Sequence, residues 1–146
     1  MKFNKPVVPS LVEHSLRLEV GFDLVKISGI VDSIAQFGDR FKQRLFTAAE
    51  LDYAYNTQDL WPERLAARFA AKEATIKALR LSNAGVNWRE IEVHKLPGGE
   101  CALCLHGNVA KLANQLRVQQ ISVSLSHDGD YAGACVTVLF HINKIN

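Results

Sequence analysis

Arg68, Lys72, Glu73 and Lys77 stand within a single ten-residue stretch, Arg68-Phe-Ala-Ala-Lys-Glu-Ala-Thr-Ile-Lys77. Around them the chain is rich in alanine: Ala66, Ala67, Ala70, Ala71, Ala74 and Ala78. At helical spacing the bulky Leu65, Phe69, Ile76 and Leu79 cover one side, and the alanines most of the rest. Small residues on so much of a helix imply close packing on more than one side, in a core or at a subunit interface. Charges entering such surroundings must be paired, bound to a metal or bound to a substrate. A carboxylate beside lysine and arginine suits a divalent cation on a phosphate, because Mg2+ takes one or two carboxylates, waters and phosphate oxygens. Asp23 is the natural second carboxylate. The other reading is a Glu73–Lys77 pair on a solvated edge, worth about 0.3 to 0.5 kcal/mol. Spacing alone leaves both open.

The elements that must position these groups are legible in outline. Leu16, Leu18, Val20, Phe22 and Leu24 alternate with Arg17, Glu19, Gly21 and Asp23. That period of two predicts a half-buried strand with Asp23 on the face opposite its apolar residues. Ile30, Ile34, Phe37, Phe41 and Leu45 then follow helical spacing, with a break or bend expected at Gly38. Thr47-Ala-Ala-Glu50 is a capping box that opens a second helix. Trp61-Pro62 starts the alanine-rich helix, which is expected to run to about Leu79. Strands over Ile91 to Leu96 and Glu100 to His106 flank the turn Pro97-Gly98-Gly99. Asn108 is the expected cap of a short helix carrying Val109, Leu112, Ala113 and Leu116 inward. Ile121, Val123 and Leu125 alternate with Ser122, Ser124 and Ser126, and Asp128-Gly129-Asp130 turns into a last strand, Tyr131 to Phe140. The expected fold is α+β: one domain over residues 16–146, a mostly antiparallel sheet, a long central helix and shorter helices. Residues 1–15, broken by Pro6 and Pro9, are expected to form a loose N-terminal extension.

Composition narrows the function classes. The chain has 146 residues, 48% hydrophobic and 22% charged, which excludes a disordered or low-complexity polymer. Its net charge of +2 argues against a general nucleic-acid binder. The excess is local, since residues 40–80 carry 8 basic and 5 acidic side chains. No apolar run reaches the roughly 18 to 20 residues that cross a bilayer. Three cysteines give no disulfide framework, and a reducing, cytoplasmic setting fits best. Cys101 and Cys104 are three apart on a strand, so they point to opposite faces, and no second cysteine pair completes a zinc site. His14, His94, His106 and His141 carry no functional expectation.

Several stretches together resemble the small phosphopantetheinyl transferases of the holo-acyl-carrier-protein synthase type. Val20-Gly-Phe-Asp-Leu-Val-Lys-Ile27 is similar to that family's Gly-x-Asp opening, and Arg68 to Leu79 to its Lys-Glu-Ala-x-x-Lys helix. Gly38 to Thr47, Trp88 to Val93 and Leu125-Ser-His127 resemble further segments, in family order over about residues 18 to 140. The resemblance implies transfer of the 4'-phosphopantetheine arm of coenzyme A to a serine of an apo acyl carrier protein, of fatty-acid or polyketide type, releasing 3',5'-ADP. It implies Asp23, Glu73 and Lys77 as catalytic residues, with Asp23 and Glu73 on Mg2+ (or Mn2+) and Lys77 on the diphosphate. Arg68, Lys72, Ser126 and His127 would join Lys77 in binding coenzyme A, while Arg40 and Arg44 would meet the carrier protein. A homotrimer with sites between subunits is implied too, which would account for the alanine-rich helix. No nucleic acid and no membrane enter this reading.

The chain departs from the family pattern at Lys26 and Gly29, where glutamate and arginine are usual, and at Arg80-Leu-Ser-Asn-Ala-Gly85, which replaces a Gly-Thr-Gly loop. Ser82, Asn83 and Gly85 are expected to substitute there, and both changes imply a specialised carrier. The rival readings are a non-catalytic module that binds coenzyme A or a carrier protein, and a metal-dependent phosphohydrolase using Asp23, Glu73 and Asp128.

Overall fold

A computed structural model describes residues 16–82 and 85–142 of the chain. The expected extension at 1–15 and the substituting Asn83 lie outside the described residues. The strand β1 (Leu16–Lys26) is followed by the helices α1 (Ile27–Phe37), α2 (Asp39–Leu45), α3 (Ala48–Ala54) and α4 (Trp61–Leu79). A 3-10 turn, Trp88–Glu90, leads into β2 (Ile91–Lys95) and β3 (Cys101–Leu105). The helix α5 (Gly107–Gln115) precedes β4 (Val118–Asp128) and β5 (Tyr131–His141). One antiparallel sheet has the order β1-β5-β4, and β2 and β3 form a separate hairpin. The α+β expectation is met.

Local chemistry sets most of the boundaries. Gly38 takes φ +63°, a conformation costly for other residues, and splits the apolar stripe into α1 and α2. The capping box forms as expected: Thr47 Oγ1 accepts from Glu50 N, and Thr47 N donates to Glu50 Oε1. Pro62 sits in the first turn of α4, where its missing N–H costs nothing. The expected cap of α5 is corrected. Asn108 lies inside the helix, whose N-cap is His106, and Val109 N donates instead to Glu90 Oε2 at 3.2 Å.

The helix α4 is the axis of the core. Ala70, Ala71, Ala74 and Ala78 pack with Ala134, Val136 and Val138 of β5, so the alanines serve a core within the chain. Their small side chains let the sheet and the helix approach closely. No subunit interface is needed to explain them.

The facing of β1 corrects the expectation of a buried apolar side. Leu16, Leu18, Val20, Phe22 and Leu24 are 47 to 67% exposed, whereas Gly21 is buried against α4 and Asp23 is partly buried. The alternation marked two faces correctly but not which one meets the core. Gly21 decides it, since only a residue without a side chain can lie against the backbone of α4.

Lys72, expected on the cofactor, is a second correction. It is fully buried, and its Nζ donates to Glu50 Oε1 at 2.7 Å and to the carbonyls of Trp88 and Ile91. Glu50 Oε2 in turn accepts from Val93 N at 3.1 Å. Burial lowers the Lys72 pKa, against the raising effect of Glu50. This cation fastens α3, α4 and β2 together and has no donor left for a phosphate. Lys72→Met would strand the Glu50 carboxylate in the core, and the expected loss is about 3 to 5 kcal/mol of unfolding free energy. Urea denaturation measures it. A loss below about 1 kcal/mol, the range of surface pairs, would contradict this role.

Candidate active site

Asp23 reaches the helix because of its neighbour two residues back. A Cβ on Gly21 would lie 1.9 Å from Ala74 O and 2.8 Å from Ala78 N. The bare glycine therefore lets β1 lie directly on α4, and Asp23 comes to the turn of α4 that carries Glu73 and Lys77. Lys77 Nζ donates to Asp23 Oδ1 at 2.9 Å and to the carbonyl of Phe22 at 3.0 Å. Of the two readings that spacing left open, the Glu73–Lys77 edge pair gives way to a cross-element pair of Lys77 with Asp23. Partial burial raises the Glu73 pKa, the negative charge of Asp23 raises it further, and Lys77 works the other way. Two carboxylates crowd one partly enclosed spot, with a single ammonium to compensate.

A second group lies toward the N-terminal half of α4. A cavity of about 390 Å³ is lined by Arg64, Arg68, Lys95, Ser126 and His127, with Tyr53 among its walls. Arg68 is 97% buried (3% exposed), and its guanidinium lies 4.2 Å from the centre of the Tyr53 ring. Its one hydrogen bond to the protein runs from Nη1 to Arg64 O at 3.3 Å. Among the described residues its Nε has no partner. Burial pulls its pKa below the ordinary arginine value. His127 Nδ1 is 2.9 Å from Glu63 Oε2, which sets the ring at the cavity wall. Arg68, Ser126 and His127 therefore share one cavity, while Asp23 of β1 forms a separate cluster with Glu73 and Lys77 of α4.

Arg64, Lys95 and Tyr53 are additional cavity residues that the sequence reading left out. Arg64 lies one helical turn before Arg68, and that spacing is a signal the sequence does carry. Lys95 and Tyr53 arrive from β2 and α3, and no local pattern announces them. Arg40 and Arg44 are elsewhere. Both are exposed on α2 and line an open hollow of about 490 Å³ with Phe37 and Phe41. Asp128, considered as a third carboxylate, is exposed at the end of β4.

A family model for the 4'-phosphopantetheinyl transferase superfamily matches residues 19–136. The chain belongs to that superfamily. It is 42% identical over 120 residues to a holo-[acyl-carrier-protein] synthase of Koribacter versatilis, covering 82% of this chain and 95% of that one. With a synthase of the same name from Dehalococcoides mccartyi it shares 45% identity over 119 residues, covering 82% and 96%. Among solved structures, an ACPS–CoA complex from Chronobacterium ammoniagenes superposes with a TM-score of 0.75 at 35% identity, covering 88% of this chain and 99% of that one. The Neisseria meningitidis synthase gives 0.76 at 28% identity, covering 82% and 96%. This phosphopantetheinyl transferase thus places the acidic residue of its Gly-x-Asp segment beside the glutamate of its Lys-Glu-Ala helix through one steric device. Gly21→Ala should cost about 3 kcal/mol or more in urea unfolding by forcing β1 off α4. An unchanged unfolding midpoint would mean that the contact is not needed.

Proposed function

We propose that this chain transfers the 4'-phosphopantetheine arm of coenzyme A to a serine of an apo acyl carrier protein, giving the holo-carrier and 3',5'-ADP. The observation that carries the reading is Arg68: a buried guanidinium with an unpartnered Nε at the wall of a cavity. Such a group is costly unless an anion comes to it. Arg64, Lys95 and His127 line the same cavity, which suits the 3'-phosphate end of coenzyme A. Ser126 adds a hydroxyl there. Glu73 lies five residues further along α4, roughly 7.5 Å along the axis, so one helix can serve both the nucleotide and the diphosphate.

At the second cluster the donor set suits Mg2+, or Mn2+ in its place. Asp23 and Glu73 are two hard oxygen donors, and the upward push that the Asp23 charge gives the Glu73 carboxyl is what a divalent cation relieves. Bound there, the ion would neutralise charge on the diphosphate. Lys77, 53% exposed and held by Asp23, can turn its ammonium to the diphosphate oxygen on which charge collects as the bond to 3',5'-ADP breaks. The serine oxygen forms the new bond to phosphorus as the old P–O bond to 3',5'-ADP opens in line, and the serine proton passes to the Glu73 carboxylate or to water. Asp23, Glu73 and Lys77 are the catalytic residues of this reading.

The carrier protein, of fatty-acid or polyketide type, would dock an acidic helix on the hollow where Arg40 and Arg44 flank Phe37 and Phe41. Lys26 and Gly29, at the junction of β1 and α1, bear on which carrier is taken. Three free cysteines favour a reducing, cytoplasmic setting, and among the described residues no helix is long and apolar enough to cross a membrane. A homotrimer completes the proposal, and its support is the outer face of β1. Leu18, Val20, Phe22 and Leu24 are each more than half exposed on one side of one strand, a patch that monomers seldom leave in water.

Intact-mass spectrometry after incubation with coenzyme A, Mg2+ and a panel of apo carriers tests the reaction. A phosphopantetheine increment on a carrier is expected. Glu73→Gln should slow its appearance at least about a hundredfold, roughly 2.7 kcal/mol of barrier, and Arg44→Glu should weaken carrier binding more than coenzyme A binding. Near wild-type transfer by Glu73→Gln would remove Glu73 from the catalytic set, and binding without transfer would favour the non-catalytic module. Sedimentation equilibrium tests the assembly: trimer for the parent chain, monomer for Val20→Glu with its helix content kept. A monomeric parent would refute it.

A further inference from the structure

The β2–β3 hairpin carries a second set of potential ligands, on the face turned away from α4. Antiparallel pairing places Glu92 directly opposite Cys104. His94 follows two residues after Glu92 on β2, and His106, still extended just past the end of β3, two residues after Cys104, so period-two geometry puts all four side chains on one face. The side chains converge. His94 Nε2 is 2.6 Å and His106 Nε2 3.1 Å from the same oxygen, Glu92 Oε1. Ligand atoms of Glu92, His94 and Cys104 all lie within 4.8 Å of one another. Glu92 is 92% buried (8% exposed) while the imidazoles are about half exposed, so the set is open to solvent on one side.

We infer that Glu92, His94, Cys104 and His106 form a binding site for a zinc-type divalent transition metal, distinct from the Asp23–Glu73 cluster. Ligands of a tetrahedral zinc, at about 2.0 to 2.3 Å from the ion, stand about 3.3 to 3.8 Å apart. The present spacings, 2.6 and 3.1 Å for the two hydrogen-bonded pairs and up to 4.8 Å among Glu92, His94 and Cys104, bracket that range. The chemistry separates the two sites: thiolate and imidazole select zinc-type ions, whereas two carboxylates suit Mg2+. One carboxylate and one thiolate balance the charge of the ion, and the thiol proton leaves to solvent on binding. The earlier objection, that no second cysteine pair accompanies Cys101 and Cys104, does not apply to a site in which only Cys104 takes part. Cys101 points to the other face, where it lines the arginine-bearing cavity with Lys95 and Gly99. Because among the described residues β2 and β3 pair only with each other, a metal across them would hold the hairpin whose opposite face forms that cavity wall.

Metal titration of the whole chain, stripped with chelator and kept in excess Mg2+ to occupy the hard-oxygen site, tests the inference. One Zn2+ per chain should survive gel filtration, measured by elemental mass spectrometry. Co2+ in place of Zn2+ should give a near-ultraviolet thiolate-to-metal absorption band. Cys104→Ser should abolish the band and Cys101→Ser should keep it, while His94→Ala should weaken zinc binding by at least about tenfold. Circular dichroism establishes that each variant is folded, and the band in the parent chain is a readout that needs no variant. No retained zinc, a cobalt spectrum without the thiolate band, or zinc retention by Cys104→Ser and His94→Ala undiminished from the parent chain would overturn the site. None of these outcomes depends on transferase activity.

Discussion

The contact between Gly21 and the backbone of α4 is the constraint on which the site depends. A strand and a helix normally stand apart by the thickness of two side chains. Here one of them is missing altogether, and on the helix side the neighbours are Ala74 and Ala78. The resulting proximity brings a strand carboxylate and a helix carboxylate to the same spot, at some electrostatic cost to both. Lys77 offsets part of that cost by bonding Asp23 and the carbonyl of Phe22. The same contact dictates the orientation of β1. If Gly21 and Asp23 face the helix, then Val20, Phe22 and Leu24 must face outward. The meeting of the two carboxylates and the exposed apolar face are therefore two consequences of one packing choice.

The rest of the frame is fastened by buried polar chemistry. Glu50 is at once the N3 residue of the α3 capping box, the partner of Lys72 and the acceptor for Val93 N. A single carboxylate that accepts from Thr47 N, Lys72 Nζ and Val93 N is a specific joint, because a shift of any partner leaves a buried polar group short of a bond. At the start of α1, Asp130 accepts from Ser28 N at 2.9 Å and from the Ser28 hydroxyl, and Ile27 N donates to Asp130 O. Those bonds hold the Asp130 carboxyl below its ordinary pKa. They tie the start of α1 to the β4–β5 turn, close in sequence to His127.

Features governed by near neighbours were legible in the sequence. The capping box at Thr47, the proline start of α4, the break at Gly38 and the turn at Asp128-Gly129-Asp130 each follow from the chemistry of three or four adjacent residues. The facing of β1 was not, because alternation is symmetric between its two faces. The single glycine among Arg17, Glu19 and Asp23 breaks that symmetry only once a helix is known to lie against it. The misjudged cap at Asn108 has a similar origin: the acceptor comes from Glu90, 19 residues away from the N–H it satisfies. Arg68 and His127 were identified through motif resemblance, whereas Lys95 and Tyr53 reach the same cavity from elements that no spacing connects to it.

Lys72 and Arg68 separate structural charge from functional charge more sharply than any motif does. They lie one turn apart on α4, both are buried, and burial lowers the pKa of both. Desolvating either costs several kcal/mol. For Lys72 the protein answers within itself, with one carboxylate and two carbonyls. For Arg68 it supplies the ring of Tyr53 and one long bond to a carbonyl. A cation over an aromatic ring gains about 2 kcal/mol when desolvated, which is less than the cost. The remainder is what an incoming anion would offset, and the cavity at Arg68 is where it would enter. Incomplete matching by its own fold is thus what sets Arg68 apart from Lys72, and position on the helix alone does not supply that difference.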